Sequence, residues 1–70
     1  MERLSLNSSV LRSVGYDART GVLEAEFTGG AVYRYFNVPP EKHRALLAAA
    51  SHGTYFNKNI RDEYAYMKVE

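Results

Sequence analysis

The sequence predicts an α+β fold, with three antiparallel strands followed by two short helices that cover one face of the sheet. Three observations lead there. Leu23, Ala25 and Phe27 alternate with Glu24 and Glu26, the period-two pattern of a strand buried on one side. Gly29-Gly30 lies between that run and Val32-Tyr33-Arg34-Tyr35, so the two runs read as a hairpin. From Pro39 onward the pattern changes to helix formers, with His43, Leu46, Leu47 and Ala50 at i, i+3, i+4 and i+7.

Taken in order, Met1 to Ser8 is mixed in character and is expected to be a partly ordered N-terminal segment. Val10 to Tyr16 is rich in β-formers and ends at the turn cluster Asp17-Ala18-Arg19-Thr20-Gly21. Leu11 and Val14 are three apart, so a bulge near Ser13 or Gly15 is needed to put both on one face.

The hairpin register decides where the aromatic residues go. A two-residue loop would turn Arg34 toward the apolar face and set both tyrosines among the glutamates. A three-residue loop, Thr28-Gly29-Gly30 with Gly30 left-handed, pairs Ala25 with Tyr33, Leu23 with Tyr35 and Glu24 with Arg34. A one-residue slip inverts every side chain, so the hydrophobic pattern selects the three-residue loop.

Asn37-Val38-Pro39-Pro40-Glu41 ends the strand and opens the first helix, because proline suits the first helical turn and Glu41 complements its dipole. Ser51 is placed to cap a second helix carrying Tyr55, Phe56, Asn59 and Ile60. In the tail, Tyr64, Tyr66 and Val69 are spaced to pack as an extended segment. The expected organisation is a partly ordered segment over residues 1–8, one domain over 9–66 and a C-terminal tail over 67–70.

Composition narrows the function. Seventy residues are near the lower limit for a fold without staples, and the nine aromatics supply large buried areas. With no cysteine there is no disulfide and no thiolate metal site. No apolar run approaches a membrane span, and no signal sequence is recognisable. A soluble cytoplasmic protein is expected, with no cofactor and no membrane partner. The net charge of +1 neither favours nor excludes a polyanionic partner.

Catalysis finds little support. His43 lies on the inward helix stripe and His52 in a Ser-x-Gly loop, with no carboxylate or cysteine at ligand spacing. No paired acids and no nucleophile–base arrangement stand out, so the chain is read as a non-enzyme. Ser51-His52-Gly53-Thr54 precedes a helix and would suit a phosphate, but a serine-capped turn is the commoner role for such residues. Lys58 and Arg61 would add positive charge nearby, or simply lie on a solvated helix face.

Tyr33-Arg34-Tyr35 is the most suggestive run. Aromatic and basic residues interleaved on a strand suit single-stranded RNA, whose bases stack on rings while arginines meet phosphates. The chosen register opposes the simplest version, because both rings face the helices and Arg34 faces Glu24.

Several short motifs together resemble the KTSC domain. They are Ser13-Val14-Gly15-Tyr16-Asp17, Leu23-x-Ala25-x-Phe27, Tyr33-x-Tyr35, Val38-Pro39, Ser51-x-Gly53-x-Tyr55-Phe56-Asn57 and Ile60-Arg61, spread over residues 9–66. The family is named for its occurrence at the C-terminus of some lysyl-tRNA synthetases, and it also forms stand-alone bacterial proteins of about this size. The resemblance implies Tyr33 and Tyr35 as signature residues, no catalytic group, and RNA binding by association with the synthetase. Ala25 and Pro40 depart from the usual family pattern. Ala25 leaves room for a tyrosine ring opposite.

Two functions from different classes follow. One is a small RNA- or single-stranded nucleic-acid-binding module using Tyr33, Arg34, Tyr35, Tyr55, Lys58 and Arg61. The other is a protein-interaction or homodimer module using a sheet edge or an outer sheet face carrying Val32 and Phe36. Sorting of Arg34, Lys58 and Arg61 into one patch would favour nucleic acid. Arg34 paired to Glu24 without such a patch would favour a protein partner.

Overall fold

The computed structural model describes residues 1–69. The α+β class and the two helices are as expected, but the sheet has five strands rather than three. In chain order the elements are β1 (Leu4–Ser5), β2 (Leu11–Asp17), β3 (Val22–Phe27), β4 (Val32–Tyr35), α1 (Pro40–Ala48), α2 (His52–Asn59) and β5 (Tyr66–Lys68). The strands lie in the order β1-β2-β3-β4-β5, each antiparallel to its neighbours. The two extra strands form the sheet edges. Both come from segments too short to show a period in sequence, and each gains its ladder from the inner strand beside it.

The central hairpin has the three-residue loop. Leu23 pairs with Tyr35, Glu24 with Arg34 and Ala25 with Tyr33. The Phe27 amide donates to the Ala31 carbonyl at 2.9 Å, and Gly30 takes a positive φ of 100° that a side chain would strain. On β2 the pairing runs from Leu11↔Phe27 to Ser13↔Glu26, which leaves Arg12 as the extra residue of a bulge. That bulge brings Leu11 and Val14 onto the same buried face.

Both helices pack on that face. Leu46 of α1, Phe56 of α2 and Ile60 just beyond it join Leu11, Val14, Leu23, Ala25, Tyr35 and Val38 in one core. Ser51 caps α2, its hydroxyl accepting from the Thr54 amide. Ala50, expected on the inward stripe, lies beyond the end of α1 and is exposed.

The opposite face is polar and tightly paired. Glu24 is only 7% exposed, and its carboxylate meets Arg34 Nε at 2.8 Å and Arg3 Nη1 at 3.4 Å. Glu26 accepts from the Ser13 hydroxyl at 2.9 Å and faces Arg12 at 3.7 Å. The N-terminal segment crosses this face over Gly15, where an added Cβ would stand 2.5 Å from the Glu2 carbonyl oxygen. The segment expected to be partly ordered therefore closes over Gly15, beside the buried Glu24.

Candidate functional site, a tyrosine cleft between sheet and helix

Beside the core, the helix-facing side of β3, β4 and β5 opens into a cleft of about 300 Å³. Phe27, Tyr33, Tyr35 and Tyr66 form its aromatic lining, Val10 and Ala31 complete the apolar part, and Arg61 and Asp62 lie at its rim. The pleat explains the clustering. Tyr33 and Tyr35 are two apart on β4, and Tyr66 lies directly across from Tyr35 on β5.

The rings touch as a group. Tyr35 lies edge-on to Phe56 with centroids 5.2 Å apart, and Tyr66 is 5.8 Å from Tyr33 and 5.6 Å from Tyr35. Phe27 meets Tyr33 edge-on at 5.7 Å. Burial is graded across the cluster. Tyr35 is 3% exposed, Tyr33 is half-buried, and Tyr66 is 59% exposed. The Tyr35 phenol is pushed up to about 12, chiefly by burial; Arg61 pulls it down, while Tyr33, Tyr66 and Asp62 push it further up.

The residues named from sequence separate into distinct groups. Tyr33, Tyr35 and Arg61 meet in the cleft. Arg34 lies on the opposite face, held by Glu24, and so contributes nothing to the cleft. Tyr55 packs against the core, and Lys58 is exposed in the last turn of α2; neither lines the cleft. Arg34, Lys58 and Arg61 therefore do not form one basic patch. Val32, expected on an open outer face, is buried, and Phe36 is half-buried.

Sequence reasoning missed Tyr66, Phe27 and Asp62 as lining residues, and Lys68, which stands across from Tyr33. The one usable signal was the tail residues Tyr64, Tyr66 and Val69, spaced to pack as an extended segment.

The histidines take structural positions. His43 stacks on Tyr16 with centroids 4.7 Å apart, and its pKa is lowered by burial and by Arg44. The His52 Nδ1 lies 2.8 Å from the Leu46 carbonyl oxygen. Among the described residues no three acidic or histidine side chains converge as a metal site would require. Among the described residues no helix is long and apolar enough to cross a membrane.

A family model, the KTSC domain, matches residues 7–64. This chain belongs to the KTSC domain family. An uncharacterised protein of Stutzerimonas stutzeri is 48% identical over 71 residues, covering all of both chains. A lysine–tRNA ligase of Nostoc punctiforme is 38% identical over 66 residues, which is 94% of this chain but 12% of the ligase. A crystal structure of a KTSC domain protein from Yersinia pestis superposes with a TM-score of 0.93 at 31% identity, covering 99% of this chain and 97% of that one. The KTSC fold thus exists both as a whole small protein and as a minor part of a much longer enzyme.

Proposed function

We propose that this KTSC chain is a non-catalytic binding module that takes a single-stranded RNA segment at the tyrosine cleft. The observation carrying this is the graded aromatic cluster, in which Tyr66 is 59% exposed although Tyr33 and Tyr35 lie within stacking distance. An exposed ring against two others offers a base a ready platform, and such stacking contributes about 1–3 kcal/mol per base. Arg61 at the rim and Lys68 across from Tyr33 would supply the phosphate contacts. The lysine–tRNA ligases that carry a similar region act on an RNA, which supports the same ligand class.

Affinity in this scheme comes from stacking more than from charge. With Arg61 in the cleft lining and Lys68 across the ladder from Tyr33 as the phosphate contacts, neutralising two phosphates gives a slope of log affinity against log salt of about −1.4. Titrating the chain with short RNAs at several salt concentrations, followed by backbone amide shifts, tests this. Movement confined to β4, β5 and residues 60–62, with that shallow slope, is expected. No movement there at millimolar RNA would refute it.

The lack of one basic patch of Arg34, Lys58 and Arg61 counts against charge-driven RNA binding and, by the criterion set from the sequence, favours a protein partner. Arg34 is tied to Glu24, and the exposed edge strand β5 carries Met67 beside Tyr66, with Val69 just beyond. An extended partner could add to that edge. Light scattering over a concentration series separates this from the RNA-binding function. A monomer that binds RNA at the cleft excludes the edge as the principal site.

A further inference from the structure

Tyr35 carries an unused donor. Its side chain is almost fully enclosed, yet its hydroxyl forms no hydrogen bond with any other described residue. Every fully enclosed side-chain polar atom among the described residues has a partner, so this hydroxyl reaches solvent through the cleft. Phenylalanine would fill the same space without leaving a polar atom unpaired at the cleft floor.

The surroundings define what that donor could meet. Burial keeps the phenol protonated to about pH 12, so it remains a neutral donor. Arg61 and Asp62 both act on its charge and both line the opening. The cleft therefore offers the phenolic hydroxyls of Tyr33, Tyr35 and Tyr66, of which that of Tyr35 belongs to the most enclosed ring, with one carboxylate that only accepts and one guanidinium that only donates, between flat aromatic walls. Its volume of about 300 Å³ is at the lower end for ligand pockets and suits one planar group.

Building on the RNA-binding function proposed above, we infer that the cleft selects a guanine base, Asp62 accepting from its N1–H and 2-amino group while the Tyr35 hydroxyl donates to O6. Guanine alone among the four bases places two neighbouring donors beside an acceptor on one edge. Adenine and cytosine present an acceptor beside their amino group, and uracil flanks its single N–H with two acceptors, so each sets a lone pair against the carboxylate. Arg61 then meets the phosphate.

The test titrates the full chain with the RNA pentamers UUGUU, UUAUU, UUCUU and UUUUU, and with GMP, following amide shifts. UUGUU is expected to bind about tenfold or more tightly than the other three. Asp62→Asn should abolish that preference, bringing UUGUU and UUUUU to within about twofold of each other, while leaving the melting temperature unchanged. Tyr35→Phe should weaken UUGUU by a few fold without unfolding the chain. GMP binding as tightly as UUGUU would assign the guanine site to free nucleotides, whereas a preference for the pentamer assigns it to a strand. Equal affinity for all four pentamers overturns the guanine assignment and leaves RNA binding standing. No binding of any pentamer, with self-association seen by light scattering, overturns both in favour of a protein interface.

Discussion

Replacing Tyr35 should separate its structural role from its role in binding. Its ring is 3% exposed and enclosed by Phe56, Tyr33 and Tyr66, so Tyr35→Ala removes a fully packed aromatic side chain. Such truncations cost about 3–5 kcal/mol. A domain of this length has a total stability of about 3.5–10 kcal/mol at the usual value per residue. Tyr35→Ala should therefore leave a large unfolded fraction at room temperature. Tyr33→Ala removes a half-buried ring and should cost about half as much, roughly 1.5–2.5 kcal/mol. The sequence alone predicts equal losses for the two; the structure separates them. Tyr35→Phe deletes only a hydroxyl that forms no hydrogen bond with another described residue and should change stability by less than about 0.5 kcal/mol. Urea unfolding followed by far-UV circular dichroism measures all three. A loss below about 1 kcal/mol for Tyr35→Ala would refute its placement in the core. A loss above about 1 kcal/mol for Tyr35→Phe would mean the hydroxyl is bonded within the fold, removing the free donor in the cleft.

Two further outcomes follow from the same geometry. Gly15→Ala should dislodge the N-terminal segment, because the new Cβ meets a backbone oxygen at 2.5 Å; a cost of about 1–3 kcal/mol and rapid amide exchange over residues 3–6 are expected. Wild-type protection there would refute the close crossing. Stability should also fall in alkali. Tyr35 keeps its proton to about pH 12 when folded, whereas an unfolded tyrosine loses it near 10, so its contribution is complete below about pH 10 and is lost as pH rises toward 12. Because the hydroxyl touches solvent, the loss should be only about 1–2 kcal/mol. Tyr35→Phe should remove that part of the slope in urea melts across this range.

The hairpin and its register were legible because alternation and the Gly-Gly turn act over adjacent residues. The α2 cap was legible for the same reason, since Ser51 and Thr54 are near neighbours. The edge strands were not. Leu4–Ser5 and Tyr66–Lys68 span two and three residues, too few to define a period, and their ladders are set by β2 and β4. Tyr66 consequently dropped out of the sequence-based site even though Tyr33 and Tyr35 were recognised. Arg34 shows the converse. Its proximity to two tyrosines in sequence suggested binding, but strand alternation places it on the far face with Glu24.

The cleft joins an inner strand of the sheet, β4, to an exposed edge strand, β5. Tyr35 is anchored by Phe56 of α2, while Tyr66 belongs to an exposed three-residue edge strand whose ladder is with β4. A ligand stacking on Tyr66 and reaching the Tyr35 hydroxyl would bridge the two. Whatever binds there adds its free energy to the β4–β5 ladder, in proportion to RT ln(1 + [L]/Kd). A rigid floor fixes the position of the donor, and a weakly held wall can adjust to the face of the base. In the proposed binding mode this division would give selectivity to Tyr35 and Asp62 and stacking affinity to Tyr66. The tyrosines would thus serve both parts of the molecule, since the ring that completes the core is also the one whose hydroxyl would meet the proposed ligand.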